Sequence, residues 1–279
     1  MNRKNDNEGN QGMASIKDKV TTVSTADGMY NIHYKFEKEN QFGPILVLLF
    51  GFGMSLESWY EYGYVKKLSE YFKILAVEVR GHGMSSRPHS AEEYSLEKVA
   101  GDVIVVLDKL EIQEAFILGY SLGAKVALGV YNAIPSRIKG MMLGGFEIKS
   151  TFKMENDLVL TTLSKGPVAW RNLWKSMMHL DSVGEKNLLN ADTEALTALR
   201  TAENDWPNLE SALRKVNCHC LLFVAEKCFA YKDVKFASTL LSDSKFEVIK
   251  NHNHFSMMAD LSPVIELWIN DLKKEGTLK

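Results

Sequence analysis

Cysteine is scarce in this chain of 279 residues: there are three, Cys218, Cys220 and Cys228, all crowded into one short segment. Cys218 and Cys220 sit two apart in an apolar run, where a strand would point both to one face. No histidine or further cysteine stands at ligand spacing, so the pattern gives no zinc site. Reduced, buried thiols are expected instead, which suits the cytoplasm. Charge of one sign is also lacking. Lysine plus arginine number 33 against 35 aspartate plus glutamate, with no long run of either. Nothing electrostatic therefore favours nucleic acid or an anionic membrane as partner, and a small molecule is the expected ligand. No stretch approaches the length of an uncharged membrane span, and Met1 through Gln11 is Asn- and Lys-rich with no apolar core of the signal-peptide kind. Residues 1–16 are expected to form a disordered tail. Repeats and low-complexity stretches are missing too, and nothing in the composition sets an oligomeric state.

What is present is apolar content of 46%, enough for one large α/β domain with a smaller insertion. Val20 to Ser24 and Tyr30 to Phe36 flank Ala26-Asp27-Gly28, a turn signal that predicts an antiparallel hairpin. From Ile45 the pattern changes to unbroken apolar runs: Ile45 to Phe50, Ile74 to Val77, Ala115 to Leu118, Met141 to Leu143 and Leu221 to Val224. Such runs suit strands of a parallel sheet buried on both faces. Between them, Val99, Val103, Val106, Leu107 and Leu110 form a helical stripe, and Val126, Ala127 and Val130 form another. Alternating strands and helices predict an α/β fold with helices on both faces of a mostly parallel sheet. The alternation stops over about 149–209, a helical stretch rich in large side chains from Leu158 through Trp170 and Trp174 to Leu180. An inserted helical cap over a site is expected there, leaving 17–148 and 210–279 as the core. Phe246 to Ile249 and a helix from about Ser262 to Lys273 complete the chain.

One short motif carries the chemistry. Gly119-Tyr120-Ser121-Leu122-Gly123 follows a buried apolar strand without a gap and opens a helix. In a turn that tight the serine backbone is strained, the flanking glycines avoid clashes, and Oγ is pushed clear of the sheet. The N–H of Leu122 at the helix start would face a developing oxyanion. The bland alternative is that Ser121 merely caps the helix. Phe50-Gly51-Phe52-Gly53 follows the Ile45 run directly, and Arg80-Gly81-His82-Gly83-Met84-Ser85 is a glycine-rich turn after the next run.

Taken in order, these three segments resemble the HGFG loop, the RGHGxS turn and the nucleophile elbow of the α/β-hydrolase superfamily. The chain is most similar to its bacterial esterase-like members, Asp205-Trp206-Pro207-Asn208-Leu209 included. The resemblance runs from about Thr21 to the C-terminus, matching loosely over the cap. It implies the α/β-hydrolase fold, Ser121 as nucleophile, and the N–H groups of Phe52 and Leu122 as oxyanion donors. Phe50 stands where the family usually has histidine. Arg80 and His82 read as structural residues.

Serine needs a general base near neutral pH, and histidine has the matching pKa. Of seven histidines, His254 is best placed, in Asn251-His252-Asn253-His254-Phe255 between the last strand and the last helix. His252 is its rival, while His33, His89, His179 and His219 read as surface or packing residues. Asn253 replaces the family's glycine, and asparagine accepts left-handed backbone angles.

The family's acid follows the penultimate strand in a G-E-x-D pattern, and here the segment reads Ala225-Glu226-Lys227-Cys228. A thiol neutral at pH 7 cannot do a carboxylate's work, and in proteases losing that carboxylate costs about 10⁴-fold in turnover. Glu147, just past the Met141 run, is one expected substitute; Glu226 and Asp233 are the others. A working dyad and an inactive scaffold remain open beside them. The resemblance implies a serine hydrolase that cleaves a small-molecule carboxylic ester, or a related acyl bond, with no metal or organic cofactor. An apolar group on the substrate is expected from the Trp- and Met-rich cap. A ligand-binding or signalling protein on the same scaffold is the reading of another class, and acyl transfer to another acceptor or C–C hydrolysis a third.

Overall fold

Apolar runs without polar interruption can stand as strands only where both faces are covered, and this chain covers them. The structure, a computed structural model, describes residues 21–38, 42–150, 152–179 and 182–279. The expected tail over 1–16, Val20 of the hairpin and Leu180 of the cap fall outside the described residues. Eight strands form one sheet in the order β1-β2-β4-β3-β5-β6-β7-β8. β1 (Thr22–Ser24) pairs antiparallel with β2 (Asn31–Glu37), as the turn at Ala26-Asp27-Gly28 predicts. β2 runs antiparallel to β4 (Lys73–Val77); from β4 onward the neighbours β3 (Ile45–Leu49), β5 (Ala115–Tyr120), β6 (Ile138–Gly144), β7 (His219–Ala225) and β8 (Ser244–Ile249) are parallel. All six residues of β5 are buried.

Helices fill the crossovers. α1 (Glu57–Glu61) and α2 (Tyr64–Leu68) follow β3, α3 (Leu96–Lys109) precedes β5 and α4 (Leu122–Ala133) follows it. Val99, Val103, Val106 and Leu107 of the stripe read from the sequence lie on the buried face of α3, Leu110 is its half-buried C-cap, and the N-terminus is capped by the Ser95 side chain accepting from the Lys98 N–H. Between β6 and β7 lie α5 (Leu158–Leu163), α6 (Pro167–Met177), α7 (Ser182–Leu189), α8 (Thr193–Glu203) and α9 (Glu210–Leu213). Leu163, Trp170, Trp174, Leu188 and Leu196 gather into a small apolar cluster of their own, against which Phe52, Met54 and Phe255 of the core pack. α10 (Tyr231–Leu240) joins β7 to β8, and α11 (Ser262–Lys274) ends the chain. Among the described residues no helix is long and apolar enough to cross a membrane.

The register decides where the loops meet. Leu49 pairs with Gly119, Tyr120 with Gly144, and Gly144 with Phe223, so β3, β5, β6 and β7 end side by side. The loops after their carboxyl ends, and the loop after β8, converge on one spot.

Candidate active site

At that spot β5 turns into α4 through Ser121, whose backbone stands at φ 56° and ψ −116°. A non-glycine residue there carries roughly 1–3 kcal/mol of strain, so the surroundings must hold it. They do so by contact. The Ser121 N–H donates to the Gly144 carbonyl at 2.8 Å. A Cβ on Gly119 would lie 2.6 Å from the Gly123 carbonyl oxygen, and one on Gly123 would lie 2.1 Å from that of Leu49. Strand, elbow and helix are thus closer together than any side chain allows. The Ser121 hydroxyl makes no cap hydrogen bond to α4, so helix capping is not its task.

The hydroxyl instead faces His254: Ser121 Oγ and His254 Nε2 are 3.1 Å apart. The other histidines are occupied elsewhere or exposed. His252 bonds Ser256 Oγ, His33 bonds Glu78, His89 bonds Asp192, His219 bonds Asp243, and His179 is exposed. His254 is held by its backbone as well, since the Tyr120 hydroxyl donates to its carbonyl and the two rings stack with centroids 5.3 Å apart. The left-handed residue of this turn is Asn251 (φ 64°), not Asn253. Asn253 keeps ordinary angles because its Oδ1 accepts from the N–H groups of Phe255 and Ser256, both at 2.9 Å, and so caps the turn that follows.

On the far side of the ring stands a thiol. Cys228 Sγ is 3.2 Å from His254 Nδ1 and accepts weakly from the Ala230 N–H at 3.4 Å. Burial is the main cause that pushes the thiol up to about 12, with the Ala230 N–H opposing and Glu147 adding to it. None of the three carboxylates expected to replace it hydrogen-bonds His254. Glu147 is drawn toward Lys125, with 3.8 Å between Oε2 and Nζ; Asp233 accepts from the Ile148 N–H at 3.2 Å; Glu226 accepts from the Asn251 N–H at 3.2 Å on an exposed turn. Burial first, and the Lys125 ammonium second, pull His254 down to about 3, so the ring is neutral.

The loop after β3 supplies the other side. The Gly53 N–H donates to His82 Nε2 at 3.0 Å, while His82 Nδ1 lies 3.3 Å from the Arg80 carbonyl. With Nε2 accepting, the hydrogen sits on Nδ1; burial lowers the pKa of His82 and keeps the ring in this neutral form. His82 therefore braces the loop rather than serving as a base. Arg80 in turn is forked onto buried Asp102, its Nη2 2.6 Å from Oδ1. Leu122, first in its helix, has no intrahelical acceptor for its N–H. Phe52 and Leu122 line the same cavity as Ser121 and His254, a space of about 260 Å³. A second cavity of about 240 Å³ opens across the Gly53 loop and touches neither Ser121 nor His254.

The first cavity is lined by apolar Trp170, Leu173, Trp174 and Phe255 and by charged Lys125, Glu147, Arg200 and Glu203. Lys125 is only 5% exposed; its Nζ donates to Glu203 Oε1 at 2.8 Å and Ser150 Oγ at 3.0 Å. Arg200 bonds the other oxygen of Glu203 at 2.7 Å and reaches Asp157 at 3.0 Å. Burial works against ionised Glu203, but Lys125 and Arg200 outweigh it and hold its carboxyl below the usual range. Burial raises Glu147, which Lys125 only partly offsets. Sequence reasoning named Glu147 for another role and missed Lys125, Arg200 and Glu203. The one local signal of the group is a lysine inside the otherwise apolar Leu122-Gly123-Ala124-Lys125-Val126-Ala127.

A family model described as the alpha/beta hydrolase fold matches residues 44–174. Among curated proteins the chain is 34% identical over 105 residues to epoxide hydrolase B of Mycobacterium tuberculosis, a match covering 37% of this chain and 29% of that one. It is also 34% identical over 101 residues to bifunctional epoxide hydrolase 2 of Sus scrofa, covering 36% and 18%. The chain thus spans less than a third of the length of these relatives. Among solved structures, an enol-lactonase from Burkholderia xenovorans superposes with a TM-score of 0.79 at 18% identity, covering 91% of this chain and all of that one. An esterase from Exiguobacterium antarcticum gives 0.78 at 19% identity, with 91% and 100% covered.

Proposed function

With the α/β-hydrolase fold of this chain as the premise, we propose that it is a serine hydrolase acting on a small-molecule carboxylic ester or related acyl bond through an acyl-enzyme on Ser121. The observation that carries the reading is Ser121 Oγ on a strained elbow, 3.1 Å from Nε2 of a buried, neutral histidine. Ser121 attacks the carbonyl as His254 takes its proton; the N–H groups of Phe52 and Leu122 hold the oxyanion; the leaving group departs with that proton; water, giving its proton to His254, then attacks the acyl-enzyme, and the acid leaves as Ser121 Oγ is reprotonated. No step calls for a metal or organic cofactor. Residues 149–209 act as a cap on a core of 17–148 and 210–279, and the substrate's apolar group lies against Trp170, Trp174 and Phe255. A ligand-binding protein without turnover is the second reading, favoured by the thiol at His254 Nδ1.

A fluorophosphonate probe separates the two. The expected result is one covalent adduct per chain, mapped to Ser121 and lost in Ser121→Ala. An unlabelled parent, under conditions that label a control esterase, leaves only the binding reading.

A further inference from the structure

The thiol beside His254 bears on which acyl groups Ser121 can take and keep. When His254 accepts the Ser121 proton the ring becomes an imidazolium, and its Nδ1 partner is then Cys228, an uncharged donor-acceptor 3.2 Å away. No carboxylate among the described residues hydrogen-bonds the ring; the formal charge that acts on it is Lys125, also a cation. The Cys228 sulfur is a weak acceptor that already takes the Ala230 N–H at 3.4 Å, so it offers the Nδ1 hydrogen of that imidazolium little. Geometry therefore opposes the imidazolium in every transition state where it develops.

How much that matters depends on the acyl donor. An aryl or enol ester, or a thioester, has an electrophilic carbonyl and a leaving group that needs little general-acid help, so the transition state comes early, with the serine proton only partly transferred to the ring. An alkyl ester needs nearly complete proton transfer. The acyl-enzyme is itself an alkyl ester, of serine, and its hydrolysis meets the full obstacle whatever the donor was.

We infer, resting on the acyl-enzyme reading, that Ser121 accepts acyl groups only from activated donors of this kind and surrenders them slowly to water, so that the acylated protein accumulates. In the first step the Ser121 Oγ–acyl bond forms as the bond to the phenol, enol or thiol breaks, and the serine proton ends on the departing group through His254 Nε2. In the second, water adds to the same carbonyl as His254 takes its proton, the carbonyl–Oγ bond breaks, the acid leaves, and the proton returns to Ser121 Oγ.

The test uses 4-nitrophenyl acetate and ethyl acetate with the whole chain, read by rapid mixing and intact mass. Expected are a burst of about one nitrophenol per chain, an acetyl adduct on Ser121 that persists between turnovers, and acylation by ethyl acetate slower than the burst by at least about 10³-fold. In Cys228→Asp the burst disappears, because deacylation and ethyl acetate turnover rise by up to about 10⁴-fold while the acylation rate changes far less. Cys228→Ser, uncharged, keeps the burst. A parent labelled by fluorophosphonate that shows no burst, or that both acetates acylate at rates within about tenfold, overturns this inference and leaves the hydrolase standing. A parent that is not labelled at all overturns both. Burst and rate ratio in the parent decide the matter even where a variant does not fold.

Discussion

The acid side of the pH profile should be missing. In an enzyme whose histidine titrates near the ordinary value of about 6.5, the neutral fraction falls from about 0.9 at pH 7.5 to about 0.03 at pH 5, a loss of roughly 30-fold in acylation. His254 is buried beside Lys125 and pulled down to about 3. The sign follows directly: protonation disables the base, so activity is lost only as pH falls through the folded value, and at pH 5 about 99% of the rings remain neutral. The acylation burst with 4-nitrophenyl acetate, read at the isosbestic wavelength of nitrophenol, should therefore be flat from pH 7.5 to 5. Cys228→Asp puts a carboxylate on Nδ1 and should bring the limb back toward pH 6 to 7. A parent profile that already falls near pH 6.5 refutes the account of an isolated, desolvated ring. Stability carries the same signature. The unfolded ring binds a proton below about 6.5 and the folded ring only below about 3, so this site's contribution, fully present above 6.5, drains away between those values.

Two substitutions test the frame around the ring. Gly123→Ala sets a Cβ 2.1 Å from the Leu49 carbonyl oxygen and 2.8 Å from that of Phe50; both obstacles are backbone. A loss near the top of the roughly 1–3 kcal/mol range for overpacking should appear in the urea midpoint, together with loss of fluorophosphonate labelling. Lys125→Met removes one partner of buried Glu203 but leaves Arg200 at 2.7 Å. Its cost should fall to about 2 kcal/mol, below the roughly 3–5 of a stranded charge, and Glu203→Gln in the same chain should recover part of it in a double-mutant cycle.

The strands and the elbow were legible because their signals are local. Ile45 to Leu49 and Ala115 to Tyr120 announce burial by being apolar without a break, and Gly119 and Gly123 flank Ser121 at the spacing a strand-turn-helix needs. The cysteine in the acid slot was legible by position, three residues past β7. What joined it to His254 was not, nor was the fate of Glu147. A carboxylate's reach depends on which cation draws it, and Lys125 is placed by a different helix. Lys125 and Glu203 meet across 78 residues of sequence, and Glu203 alone resembles an ordinary surface charge on a helix. Asn253 misled in a simpler way: its side chain caps the following turn, so its backbone had no need of the angles that glycine would supply.

The tie between Lys125 and Glu203 also governs how α8 can leave the core. Arg200 and Glu203 stand three residues apart on that helix, so Glu203 takes its own counterion with it wherever α8 goes. Lys125 has no such companion on α4. With α8 displaced it would face Ser150 and Glu147, and Glu147, raised by burial, would become its one nearby anion. Displacement of the helix would then hand Lys125 from one carboxylate to another, so that the charge left on α4 is never without a counterion in reach.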